Sequence, residues 1–420
     1  MQILFIHQNF PGQYRNLARY FAVQPDWRVY SIGEKPNVQR QLHYIPQNIQ
    51  LLGYNTPPKV DAAVAGAGKE FADQLNRAKY AAGVMLRQKK KGLDPDIICA
   101  HPGWGDALYA REIFPRAKLL FFFEFFFDPS GPLVNFDPEF PSDFGQRLSF
   151  RSKNAINLLS LDMADAGVCP TRWQWQTHPK EYHHKLRIIH DGVDTEIVKP
   201  NPQAELVFAN SSQPQRKFSK ADEIVTFSVR NLEPSRGFHR YMRALPRLQK
   251  ARPNAWFLIV GGDEASYVKG HESGKPWREV LLAEVGGELD MSRILFLGKV
   301  PYPTLLDIFS ISSLHLYMTI PFVLSWSMME AMACGATVLA SNTGPVREVI
   351  EEGHNGFLFD YFCENDLVEK ACALLDDPSL RSAVGRRARE SIIERYDLKS
   401  QCLPQHLALI SELLSKSDTV

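Results

Sequence analysis

Short, continuous apolar runs recur along the whole chain, separated by stretches with helical spacing. This alternation constrains the fold more than any other feature. Strand-like runs occur at 3–7, 28–32, 96–100, 118–123, 166–169 and 187–190. They resume at 224–229, 256–260, 294–297, 313–316, 337–340 and 357–359. Many are continuous apolar runs rather than alternating ones, the pattern of parallel strands buried on both faces. Strand and helix in alternation predict an α/β chain of doubly wound sheets. At 420 residues the chain is too long for one compact core. Between the two series, residues 199–222 are rich in Pro, Asn, Gln and Ser and carry no periodic run, so they are expected to link two domains. The expected division is 1–198, a linker at 199–222, 223–395, and a closing helix at 396–420 that packs back on the first domain.

Charge and cysteines narrow the function. The net charge of +1 gives no support to a nucleic-acid partner. Cys99, Cys169, Cys334, Cys363, Cys372 and Cys402 are scattered, with no CxxC pair to suggest zinc or a disulfide framework. Residues 1–7 read as a strand without the basic flank of a signal peptide. The longest apolar run, 119–127, is broken by Glu124 and is too short to span a bilayer. A cytoplasmic protein is expected.

In doubly wound sheets, ligands bind where strands end at their carboxyl side, so the loops after the strands matter most. Ser325-Trp326-Ser327-Met328-Met329-Glu330 reads as a helix start, with a carboxylate in the second turn and a strand to follow. A helix N-terminus receives anions, and a carboxylate accepts hydrogen bonds from a ribose diol. Arg230 and Arg236 flank a Pro-bearing loop that ends at Gly237, and two such guanidinium forks can meet one diphosphate. Gly12 follows the first strand, where a dinucleotide-type GxGxxG is absent. His101 follows the third strand candidate, in His101-Pro102-Gly103-Trp104-Gly105. Glu124 is the odd carboxylate among phenylalanines and is expected on the acceptor side or beside an arginine. Gly66-Ala67-Gly68-Lys69 lacks the first Gly and the Ser or Thr of a P-loop and is expected to be helical. Gly261-Gly262 and Gly298-Lys299-Val300 end further strands and can approach a base through main-chain groups.

Together these residues resemble the retaining glycosyltransferases of family 4 (group 1), which have the GT-B architecture of two Rossmann-like domains facing a cleft. The resemblance runs over nearly the whole chain and is densest from 191 to 360. It implies that Arg230 and Arg236 hold the diphosphate, Glu330 the donor ribose, His101 the donor sugar, Gly12 the first-domain loop and Val300 the base. Where typical members read Glu-Gly-Phe-Gly-Leu before that glutamate, this chain has Phe322, Val323, Leu324, Ser325 and Trp326. The usual first glutamate is therefore Phe322, and backbone amides of 323–325 are left to hold the sugar, a form shared with an exopolysaccharide subgroup.

The resemblance implies hexose transfer from a nucleotide donor, UDP-glucose by family frequency, to a saccharide or lipid-linked saccharide hydroxyl. It implies retention at the anomeric carbon with no cofactor. No DxD-type metal site is evident, and preorganised cations replace the metal. A sugar-nucleotide epimerase and a non-catalytic sugar-nucleotide binder remain as alternatives. Arg87 with Lys89, Lys90 and Lys91 forms a basic run that suggests a peripheral membrane contact at the inner face.

Overall fold

The computed structural model describes residues 1–210, 213–264, 266 and 270–415. The chain forms two compact units. One comprises Met1–Gly192 with the segment from Lys399, and the other is Val193–Leu398.

The first unit holds β1 (Gln2–Ile6), β2 (Arg28–Glu34), β3 (Gln50–Tyr54), β4 (Ile97–Ala100), β5 (Lys118–Phe122), β6 (Ala166–Cys169) and β7 (Leu186–Ile188). They form one sheet in the order β3-β2-β1-β4-β5-β6-β7, and each neighbouring pair is parallel. Successive side chains of a strand point to opposite faces, and here both faces are covered. Leu4, Ile6, Ile98 and Phe121 pack against Val84 and Met85 of helix Lys69–Lys89 and Leu161 of helix Phe144–Met163. Ile3, Phe5, Ile97 and Leu120 pack against Leu17 and Phe21 of helix Arg15–Ala22. Leu409, Ile410 and Leu413 of helix Leu403–Ser415 join the same layer, so the end of the chain completes this unit's core. Two covered faces explain why these strand runs are largely apolar and do not alternate.

The second unit holds the hairpin β8 (Leu206–Asn210) and β9 (Gln213–Phe218), then β10 (Ile224–Asn231), β11 (Trp256–Gly262), β12 (Ile294–Gly298), β13 (Leu314–Tyr317), β14 (Val338–Ser341) and β15 (Phe357–Phe359). The latter six form a parallel sheet in the order β12-β11-β10-β13-β14-β15.

The linker expected at 199–222 is corrected: it contains the antiparallel β8–β9 hairpin, with Leu206 opposite Phe218. Phe218 is fully buried, its ring 4.9 Å from that of Trp256 at the start of β11. Full burial of such a side chain contributes roughly 1.5–3 kcal/mol, so the hairpin is anchored as part of the second unit. The boundary also falls before residue 199. Val193 and Val198 are buried in the second unit's core, and Val193 exchanges backbone hydrogen bonds with Tyr396 and Leu398. Gly66-Ala67-Gly68 is helical as expected, a 3-10 turn that leads into helix Lys69–Lys89, and Lys69 is spent in an ion pair with Asp73. No helix among the described residues is long and apolar enough to cross a membrane.

Each sheet reverses its direction of winding once. In the first unit the reversal lies between β1 and β4, and in the second between β10 and β13. Ligands of open α/β sheets bind outside the strand ends at such a reversal. His7 and His101 are the residues immediately after β1 and β4. Arg230 and Asn231 end β10, and Met318 and Thr319 follow β13.

Burial of histidines makes stability depend on pH. Burial lowers His7 and His315 to about 3, and His178, His190 and His406 to about 4. A histidine whose folded pKa is depressed contributes stability that is present above its unfolded value of about 6.5 and lost as pH falls toward the folded value. At pH 5 this costs roughly 2 kcal/mol for each such group. Asp106, pushed up to about 7 by burial, acts in the opposite sense, its contribution fading as pH rises through 7. The histidines outnumber it, so melting temperature should fall steadily from pH 7 to pH 5. A flat or rising profile in thermal melts would contradict this.

Candidate functional site

At the reversal of the second sheet, β10 runs into a 3-10 turn, Pro234–Arg236, and Gly237 opens helix Phe238–Ala251. Gly237 is in the left-handed region at φ 67, and a Cβ there would lie 2.4 Å from Cβ of Met318. Glycine is therefore required both for the turn and for its close packing on the segment after β13. The turn delivers Arg236 into the interior, where it is 5% exposed. Its guanidinium donates to Thr319 Oγ1 at 3.0 Å and to the Val323 carbonyl at 2.7 Å. Arg230 is exposed at the strand end. The two arginines thus differ: one is built into the sheet's edge, the other reaches outward.

Glu233 was not singled out from sequence and is 1% exposed. Its carboxylate accepts from the Ser235 hydroxyl at 2.9 Å, and from the Ser266 amide and hydroxyl, each at 2.9 Å. Three donors on one carboxylate hold the Arg236 turn to the loop after β11. Its position three residues before Arg236 was the available signal, but an acidic residue in a loop is ordinarily solvated.

Ser325 caps helix Trp326–Ala333, accepting from the Ser327 amide at 3.3 Å. The Ser325 amide donates to the buried Tyr317 hydroxyl at 2.8 Å. The expectation that amides 323–325 all serve a sugar is therefore corrected for Ser325, whose amide is already used. Phe322 and Val323 are buried, Leu324 is half-buried and Trp326 is 47% exposed. Phe322 thus fills space and turns no polar group outward. Glu330, half-buried in the second turn of the helix, accepts from the Tyr302 hydroxyl at 2.8 Å. Tyr302 begins helix Tyr302–Ile311, two residues after Val300, which is half-buried. That helix start brings the Val300 segment to the same part of the unit as Glu330. Beside it, Lys299 pairs with Glu264 at 2.7 Å and holds that carboxyl below its usual range, with a smaller contribution from Arg230.

At the reversal of the first sheet, His101 is 4% exposed, its ring 5.5 Å from that of His7 and 5.9 Å from that of Trp104. Neither ring nitrogen of His101 has a hydrogen-bond partner among the described residues. Its Nε2 lies 3.7 Å from Glu124 Oε2. Glu124 Oε1 accepts from Gln13 Nε2 at 3.3 Å, and Gln13 Oε1 lies 2.8 Å from His7 Nε2. Gly12, at φ 46, presses on His7: a Cβ would fall 2.6 Å from its ring. His101, Glu124 and Gly12 therefore meet in one place. His7, the last residue of the first apolar run, and Gln13 belong with them. Two histidines each just beyond a central strand were the sequence signal that could have found them.

Two parallel Rossmann-like sheets, each with polar side chains at its point of reversal, define a chain of GT-B architecture. The comparisons with known proteins agree. Residues 25–198 match the model of the glycosyl transferase family 4 group, and residues 210–391 match that of glycosyl transferases group 1. The chain thus carries a match to the family 4 group over its first half and to glycosyl transferases group 1 over its second. It is similar to Anabaena Alr3699/HepE, solved in complex with UDP and glucose, at 19% identity and TM-score 0.67 over 98% of this chain and 100% of that one. Among curated proteins it is 33% identical over 104 residues to the N-acetyl-alpha-D-glucosaminyl L-malate synthase of Bacillus anthracis, covering 25% of this chain and 27% of that one. It is 25% identical over 210 residues to the D-inositol 3-phosphate glycosyltransferase of Kribbella flavida, covering 49% and 46%. The match thus spans less than half the length of these two relatives.

Proposed function

We propose that the protein is a retaining hexosyltransferase. It moves a hexose from a nucleoside-diphosphate sugar, with UDP-glucose the first donor to try, to a saccharide hydroxyl in polysaccharide biosynthesis, without a metal ion. The observation that carries this is Arg236, a buried guanidinium fixed by two hydrogen bonds at the reversal of the second sheet. A cation held in place before reaction stabilises charge developing on a leaving diphosphate without reorganising. Arg230 supplies a second cation from the same strand end, and Glu330 accepts from the donor ribose. His101 and Glu124 face the sugars. The transition state is oxocarbenium-like, and the donor's own phosphate helps to deprotonate the acceptor. The complex of Alr3699/HepE with UDP and glucose supports the choice of donor to test first.

A membrane role draws on less. Lys89 donates to the Ile113 carbonyl and lies 5.8 Å from the Phe114 ring. Arg87, Lys89, Lys90 and Lys91 are all exposed. A lipid-linked acceptor rests on the family alone, and vesicles of anionic lipid at low salt are the test of contact.

The reaction is tested by supplying UDP-glucose and other sugar nucleotides with saccharide acceptors in the presence of a chelator. Nuclear magnetic resonance then gives the anomeric configuration of the product. Transfer with retained configuration is expected. An isomerised sugar nucleotide formed without acceptor would make the protein an epimerase. Tight nucleotide binding with no turnover on any acceptor would make it a binder.

A further inference from the structure

The polar chain at the reversal of the first sheet has a defined hydrogen-bond direction. The Asn9 amide donates to His7 Nδ1 at 2.9 Å. A backbone amide can only donate, so His7 Nδ1 is an acceptor and the ring proton sits on Nε2. Nε2–H then donates to Gln13 Oε1 at 2.8 Å, which turns the Gln13 amide nitrogen toward Glu124 Oε1 at 3.3 Å. The other oxygen of the same carboxylate, Glu124 Oε2, lies 3.7 Å from His101 Nε2. That gap is too long for a direct hydrogen bond, yet one oxygen atom can sit ~2.7–3.2 Å from both atoms. His101 is buried with no hydrogen-bond partner on either ring nitrogen among the described residues. A buried ring of this kind ordinarily has a partner.

We propose that His7 and Gln13 are positioning residues that hold the Glu124 carboxylate opposite His101, so that a single saccharide hydroxyl bridges the two. The hydroxyl donates to Glu124 Oε2 and accepts from His101 Nε2–H. This rests on the sugar-transfer function proposed above and adds to it the residues that set the sugar's orientation. His7 suits the part because burial, with His101 beside it, depresses it to about 3 and keeps it neutral with one proton. Gly12 suits it because any side chain there would displace the His7 ring.

The test uses the full chain with Gln13→Met, which keeps length but cannot bond, with Glu124→Gln, and with the double variant. Gln13→Met should lower kcat/KM for transfer roughly tenfold, as expected for loss of a hydrogen bond to a charged group. UDP affinity should stay within about twofold. The double variant should lose no more than Glu124→Gln alone, because both act through one carboxylate. A rise in acceptor KM assigns the hydroxyl to the acceptor, and a rise in donor KM at unchanged UDP affinity assigns it to the donor sugar. Losses that multiply in the double variant, or Gln13→Met kinetics within about twofold of wild type, would overturn the proposal. Histidine ¹⁵N spectra of the wild type need no substrate. His7 protonated at Nε2 near neutral pH is expected, and a proton on Nδ1 overturns the relay whether or not the protein transfers sugar. A wild type inert toward every sugar nucleotide would instead overturn the proposed function, with the tautomer still deciding the relay.

Discussion

Replacing Arg236 by Ala is expected to lower kcat by about 100- to 1,000-fold at saturating donor, the loss typical when one fixed donor to a developing anion is removed. The size follows from preorganisation. The guanidinium is 5% exposed and held by Thr319 and Val323, so its charge is in place before the leaving group forms. Arg236→Lys should fall between wild type and Ala. An ammonium keeps the charge, but it has no planar fork with which to hold Thr319 and Val323 and still face a phosphate. The Ala variant also strips a donor from the Val323 carbonyl, a cost of roughly 1–3 kcal/mol if that oxygen stays buried. Thermal melts recorded beside initial rates separate the two effects. A lower melting temperature with kcat within about threefold of wild type would make Arg236 a structural residue.

Gly237→Ala should have the largest effect on stability. A non-glycine residue in the left-handed region costs roughly 1–2 kcal/mol. The new Cβ would also fall 2.4 Å from Cβ of Met318, an atom at the root of its side chain that cannot swing away. The turn or the segment after β13 must shift, as in other overpacked sites, for a further ~1–3 kcal/mol. Because Arg236 precedes this glycine, the shift moves the guanidinium, and activity should fall together with stability. Urea unfolding measures the loss. An Ala variant whose midpoint equals that of wild type would show that the backbone relaxes without strain.

Much of the fold could be read from local pattern, because a strand buried on both faces is largely apolar rather than alternating. β6 and β15 match the runs at 166–169 and 357–359 residue for residue. Most other strands differ by one or two residues at an end, where the last residue belongs equally to the strand and to the loop. β3 escaped because it is an edge strand, with Gln50 and Leu51 exposed. The β8–β9 hairpin escaped because Gln213–Phe218 is almost wholly polar, and Leu206, Phe208 and Phe218 anchor it among the described residues.

The site was legible by position rather than by partner. His101, Arg230 and Arg236 end or follow strands and Glu330 lies in the helix after β13, and that much a linear pattern reports. What it does not report is which polar groups face each other across long separations. Arg236 meets a carbonyl 87 residues away, and Gln13 meets a carboxylate 111 residues away. Those pairings decide that the Ser325 amide is already committed to Tyr317 and that Glu330 shares Tyr302. They also decide that His7, which looks like one more strand residue, sets the orientation of Gln13.

The central claim is that a nucleoside diphosphate is held by Arg230 and Arg236 without a metal ion. Calorimetric titration of UDP into the wild type and into Arg230→Ala, both with chelator present, tests it most directly. Exothermic one-to-one binding by the wild type, weakened at least roughly tenfold in the variant, is the predicted result. Equal affinity in the two proteins, or binding by the wild type only after a divalent cation is added, would contradict it.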